Sequence, residues 1–223
     1  MTVPTVNAYY NPQKNEMVFP AGALVPQTFD ASVDDAANYG SLGGSWAGHE
    51  LTHGFDDEGR HFDAAGNLKD WWAPSDSLKF TREAQKVVDQ FDKYIQVDTF
   101  HVNGKLTLGE NIADFGGLLT AYDALQRALQ RNGRPKAIEG FTPEQRFFIS
   151  YAQSWRGHAF DGLELREINL PENDVRVAAE HAILTPAADA LAVHQTRERL
   201  LAEVLSQAHD VDERPVARRE RRR

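Results

Sequence analysis

Val6-Asn7-Ala8-Tyr9-Tyr10-Asn11-Pro12 alternates apolar and polar positions and stops at a proline, the pattern of a short strand at a sheet edge. Asn15 to Gly22 reads as a second short strand ended by Pro20, with Gln13-Lys14-Asn15 as the turn between the two. Beyond them the period becomes helical. Asp34 to Gly40 has helix-forming character but runs into Gly40, Gly43 and Gly44, where the backbone is expected to loosen before a helix over Gly44–Asp56. Asp56 to Leu68, rich in Asp, Gly and Asn, is expected to be a loop. After a cap-like Pro74-Ser75-Asp76, the residues Leu78, Phe80, Ala84, Val87, Val88, Phe91 and Tyr94 fall at helical spacing and predict a scaffold helix. A long helix is predicted from about Thr107 to Asn132, with a bend at Gly116-Gly117. Thr142-Pro143-Glu144-Gln145 has the form of a capping box and opens a helix whose Phe147, Phe148, Tyr151, Ala152 and Trp155 are assigned to packing. A last helix is expected around Ala188 to Ala208. The predicted class is mainly helical, α+β, with a small sheet near the N-terminus.

Composition narrows the reading only where it excludes something. The chain of 223 residues fits one domain with a substantial core. Its net charge of −9 argues against a general nucleic-acid surface, and the basic cluster at its end, residues 218–223, reads as a solvated tail. There is no cysteine, so no disulfide contributes to the fold. No apolar run approaches the roughly 20 residues that span a bilayer, and the first residues have neither the basic nor the apolar stretch of an export signal.

The chemistry concentrates in Gly48-His49-Glu50-Leu51-Thr52-His53-Gly54-Phe55-Asp56, which contains the pattern His-Glu-x-x-His. On a helix, four residues are slightly more than one turn, so His49 and His53 project from one face and can hold one metal ion. Imidazole nitrogen suits Zn²⁺, and Glu50, beside the ion, can take the proton of a water made acidic by the metal. By themselves the five residues are equally compatible with two half-buried histidines and a solvated glutamate. A third ligand is needed, and Leu108-Gly109-Glu110-Asn111-Ile112-Ala113-Asp114 supplies a candidate. Glu110 and Asp114 are also one turn apart, so Glu110 can ligate the metal while Asp114 accepts a hydrogen bond from a ligand histidine.

His49 to Phe55 followed by Asp56-Asp57, then Gly59-Arg60, Phe62-Asp63, Gly66-Asn67-Leu68 and Asp70-Trp71-Trp72, resembles the catalytic domain of the neprilysin and endothelin-converting-enzyme family of zinc metallopeptidases. Gly109 to Asp114 is similar to that family's second zinc motif. The resemblance runs from about Thr5 to about Trp155. It implies a thermolysin-like zincin fold with two zinc-bearing helices and one Zn²⁺ held by His49, His53 and Glu110. It also implies Glu50 and Asp114 in catalytic roles, a peptide substrate, and Asn7 and Ala8 aligning the substrate backbone. Relatives have a small or aliphatic residue where this chain has Trp46, which reads as a packing change. Animal members are rich in disulfides, so the absence of cysteine looks more like a bacterial relative. The family's setting implies a periplasmic or extracellular location. Its usual chain is much longer, with a helical domain that precedes the catalytic part, so the sequence reads as a fragment or truncated product.

After Trp155 the motifs fail. The family's oxyanion-stabilising histidine and substrate-gripping arginine have no clear counterpart, since neither His158 nor His181 has the expected setting and Arg176-Val177 is followed by Ala178. Residues 1–160 are therefore read as the metallopeptidase-like domain, and 161–223 as a divergent segment with a basic, disordered end. The function expected is a zinc-dependent metalloendopeptidase. The alternatives are a catalytically silent zinc-binding remnant and a peptide-binding module of the same family.

Overall fold

The computed structural model describes residues 1–97 and 100–155; the expected C-terminal helix, the basic end and His158, Arg176 and His181 lie outside them. The described part is mainly helical with two very small antiparallel sheets. β1 (Tyr9–Asn11) and β2 (Glu16–Val18) form the expected hairpin, each only three residues long, in the register Tyr9 with Val18 and Asn11 with Glu16. Asn15, at the left-handed φ of 49°, closes its turn.

The segment that carries the histidines is longer and less uniform than a helix over residues 44–56. α1 (Asp35–Asn38) starts at Asp34, whose carboxylate accepts the Ala36 N–H. It passes without a break into wide π-helical turns, Tyr39–Gly48, then into α2 (His49–Thr52), and ends in the tight turn His53–Phe55. The glycines do not loosen the backbone, because their missing side chains are where other helices lie. A Cβ on Gly48 would stand 2.6 Å from the Gly117 carbonyl oxygen, and one on Gly117 would stand 2.5 Å from the His49 nitrogen. The two helices meet backbone on backbone.

The partner in that contact is α4 (Leu108–Asn132), uninterrupted across Gly116-Gly117. Its stripe of Leu118, Ala121, Leu125 and Leu129 packs with Ala36 and with Phe147 of α5 (Pro143–Ser154) to make the main core. Leu125 and Phe147 are fully enclosed, each worth about 1.5–3 kcal/mol of burial. The expected capping box at Thr142 and Gln145 is formed, and Arg146 of α5 makes a two-pronged pair with Asp34 at 3.0 and 2.9 Å. α3 (Pro74–Phe91) is the scaffold helix, with Ala84 and Val88 against Leu108 at the start of α4. It begins on Pro74 after Ala73 with no side-chain cap, so Ser75 and Asp76 do not cap it. A hairpin absent from the expected elements follows, β3 (Ile95–Val97) with β4 (Phe100–His101). His101 is exposed, as expected. Trp71 is exposed too, whereas Trp72 packs edge-on against Phe80 of α3, with the Arg60 guanidinium over both rings.

Candidate metal centre

Because α2 lies on α4 at Gly48 and Gly117, the side chains one and two turns towards the start of α4 are brought against the histidines. His49 Nε2 stands 3.2 Å from Glu110 Oε2, His53 Nε2 stands 3.5 Å from the same oxygen, and the two imidazole Nε2 atoms are 3.0 Å apart. Three donor atoms from two distant stretches of chain thus form a nearly equilateral triangle. Donors about 2.0–2.1 Å from a tetrahedral Zn²⁺ are about 3.3 Å from one another, so the triangle has the size that ion requires. Among the described residues this is the one cluster of three His, Asp or Glu side chains able to hold a metal.

Each histidine is also held from behind. His49 Nδ1 donates to Asp114 Oδ1 at 2.9 Å, the bond expected from the spacing in the second motif. His53 Nδ1 donates to Asp56 Oδ2 at 2.7 Å, and the other oxygen of Asp56 accepts the Glu58 and Gly59 N–H groups. Reasoning from sequence missed Asp56, because an Asp just after a helix reads as a turn former. Its position three residues after His53, at the end of the same helical face, was the available signal. Gly109 makes room for this carboxylate, since a Cβ there would stand 3.2 Å from Asp56 Oδ2 and 3.1 Å from Asp57 Oδ1.

The charges are strongly coupled. Burial works against protonating His49, yet the hydrogen bonds and charges of Asp114 and Glu110 outweigh it and raise its pKa to about 10. His53 is raised to about 9, burial again opposing and Asp56 and Glu110 prevailing. Glu110 is driven the other way. Burial would raise it, but its bonds to both imidazoles hold it well below the usual carboxylate range. Asp114 is enclosed and its carboxyl is pushed up by that burial. These surroundings favour the protonated imidazoles, and a divalent cation held by the three donors would have to displace the protons at Nε2.

Glu50 follows His49 in α2 and is 6 % exposed. Asn7 and Ala8 lie just before β1, the strand that packs on α2; the Asn7 Oδ1 accepts the Ala8 N–H at 2.7 Å, and Ala8 is buried. Trp155, at the end of α5, places its ring 6.2 Å from that of His49. His49, His53, Glu110 and Asp114 are therefore brought into contact, with Glu50 on the same helix and Asn7 and Ala8 on a neighbouring segment.

Residues 7–197 match the model of Peptidase family M13. The chain belongs to that family. The M13 match continues past Trp155, the last residue on which the motifs rest. The chain is 52% identical over 157 residues to an endothelin-converting enzyme homolog of Locusta migratoria, covering 70% of this chain and 21% of the relative. It is 48% identical over 157 residues to the human endothelin-converting enzyme 1, covering 70% and 20%. Among solved structures it resembles the zinc metalloprotease ZMP1 of Mycobacterium tuberculosis in complex with an inhibitor, at 39% identity and a TM-score of 0.70, covering 82% of this chain and 32% of that one. The chain thus spans about a fifth of the length of the curated M13 relatives. The mainly helical fold with its small N-terminal sheet is that of M13 zinc metalloproteases. No helix among the described residues is long and apolar enough to cross a membrane.

Proposed function

We propose that this chain carries the catalytic centre of a zinc-dependent endopeptidase, with one Zn²⁺ held by His49, His53 and Glu110. The observation that carries this reading is the triangle of Nε2, Nε2 and Oε2 with sides of 3.0, 3.2 and 3.5 Å. Two imidazoles and one carboxylate are a donor set for a zinc that keeps its fourth position open. When bound, Zn²⁺ supplies Lewis acidity, polarising a peptide carbonyl and making an attacking water acidic.

The chain's own residues do the rest. Glu50 is the general base, accepting the proton of the attacking water and returning it to the departing amine. Asp114 and Asp56 fix the tautomers of His49 and His53, so that each Nε2 lone pair faces the metal and gains basicity. Asn7 and Ala8 align an extended peptide. Among the described residues β1 pairs with β2 alone, so its other edge can pair main chain to main chain with a substrate.

A second reading, zinc binding without turnover, draws its support from length. The chain spans about a fifth of its relatives, and residues that bind substrate or stabilise the oxyanion in a whole M13 enzyme need not all be in it. Metal analysis together with a mixed peptide library, on this chain and Glu50→Gln, separates the two. We expect one zinc per chain in both proteins and cleavage by the parent alone, Glu50→Gln losing about 10²–10⁴-fold in rate. Zinc in both and cleavage by neither selects the second reading, and no bound zinc discards both.

A further inference from the structure

The β1–β2 hairpin is too small to stand alone, since two short strands are at best marginally stable in water. Part of its attachment to the histidine-bearing segment runs through Tyr10. Tyr10 lies two residues after the buried Ala8, on the same face of the strand, and its ring covers Gly54, the residue after His53. A Cβ on Gly54 would stand 3.1 Å from the Tyr10 hydroxyl oxygen. That hydroxyl donates to Asn15 Oδ1 at 2.7 Å. Asn15, at the turn of the hairpin, donates through Nδ2 to the Ala64 carbonyl at 3.3 Å, in the loop that follows the tight turn of His53. Beside it Gly66, at a φ of 77°, brings its backbone against the Gln13 carbonyl, where no side chain fits. The hairpin is thus tied at its strand and at its turn to residues 54–66.

We propose that Tyr10, with Asn15, is a positioning residue that sets the height of the substrate-pairing strand over the metal site. This rests on the reading of Asn7 and Ala8 as substrate-binding. A strand three residues from its anchor moves with that anchor, and an error of 1 Å in a bound peptide is enough to carry its carbonyl out of reach of the metal and of Glu50. The Tyr10 side chain makes its contacts with Gly54 and Asn15. It acts through the strand.

Two variants remove the link and leave the metal ligands themselves unsubstituted. Tyr10→Phe keeps the ring on Gly54 and deletes the hydroxyl. Asn15→Gly keeps the left-handed turn, which glycine adopts freely, and deletes both side-chain hydrogen bonds. The zinc-loaded 223-residue chain and each variant are titrated with acetohydroxamate, which meets only the metal, and with a tripeptidyl hydroxamate, whose backbone can also pair with the strand. We expect each variant to keep its zinc and to bind acetohydroxamate within about twofold of the parent; for the peptidyl probe Tyr10→Phe should lose about five- to tenfold, the worth of one lost hydrogen bond, and Asn15→Gly, which loses two, at least as much. Equal weakening of both probes places Tyr10 in support of the metal ligands and overturns the proposal, as does unchanged binding of both. If the parent binds the peptidyl probe no more tightly than acetohydroxamate, the substrate-strand reading has failed, and the role given to Tyr10 falls with it.

Discussion

Asp56 and Asp114 do the same job for different histidines, yet they stand in different surroundings. Asp114 rises from the body of α4, whereas Asp56 also accepts two backbone N–H groups at the turn it closes. Alanine at Asp56 would therefore disturb the turn as well as the ring. Asp56→Asn and Asp114→Asn are the cleaner changes, because an amide oxygen still accepts a hydrogen bond but carries no charge. Each is expected to weaken zinc about 10–100-fold, measured by competition with a chromophoric chelator. An unchanged affinity would show that the ligand geometry does not depend on that carboxylate. The same residues determine how metal-free protein responds to pH. The folded-state pKa values of His49 and His53, about 10 and about 9, lie above the unfolded value. Their contribution to stability is fully present below about pH 6.5 and is lost as the pH rises through 9 to 10. Glu110 is depressed, so its contribution is present above about pH 4.5 and is lost on acidification. Urea midpoints in the presence of a chelator should thus be highest near pH 5–6 and fall on the alkaline side, while added zinc, which needs neutral rings, should move the maximum upward. A metal-free midpoint that rises between pH 7 and 10 would contradict the proton-bridged donors.

At the scale of elements, the stretches with a regular period were legible in the sequence: α3, α4, the capping box of α5 and the small hairpin appear close to where they were expected. The four residues of the site that sit one turn apart in pairs were legible for the same reason, since helical spacing alone brings His49 to His53 and Glu110 to Asp114. What escaped was set by packing. The glycines at 40, 43 and 44 looked like a break, and only the proximity of other helices shows their use: a Cβ on Gly40 would collide with the Phe147 carbonyl oxygen, and those on Gly43 and Gly44 would press on Ala121 and Tyr151. The β3–β4 hairpin escaped because Ile95-Gln96-Val97 is too short to display a period. Gly117 gives the sharpest test of the backbone crossing. Because a Cβ there meets the Gly44 oxygen and the His49 nitrogen at 2.5 Å, and backbone cannot swing aside, Gly117→Ala should cost at least the 1–3 kcal/mol typical of overpacking, roughly, and should weaken zinc by displacing His49. Gly133→Ala is the control. It has open space around its Cβ position but a backbone at φ 87° and ψ 155° that glycine alone adopts freely, so it should lose about 1–3 kcal/mol to strain and keep its zinc.

For the whole molecule, a metal held as proposed would tie residue 49 to residue 110, joining two helices that also meet through packing and the His49–Asp114 hydrogen bond. Zinc at a thousandfold excess over its dissociation constant stabilises the folded chain by about 4 kcal/mol. At about 2–4 °C per kcal/mol for a chain of this size, stripping the ion with a chelator should lower Tm by about 8–16 °C, read by differential scanning calorimetry. A shift of less than a degree would mean that the triangle does not hold zinc. The wide-turned segment from Tyr39 to Gly48 carries a different consequence. It contains no ligand, yet the pitch of its turns fixes the direction in which His49 leaves the helix. Deleting one residue there, with the remaining turns keeping their width, would rotate α2 by roughly 80–100° about its axis. Both zinc motifs would survive letter for letter in such a natural variant. A search of genomes by motif would still count it as a peptidase, and only the length of a stretch without chemistry would betray that it had lost its metal.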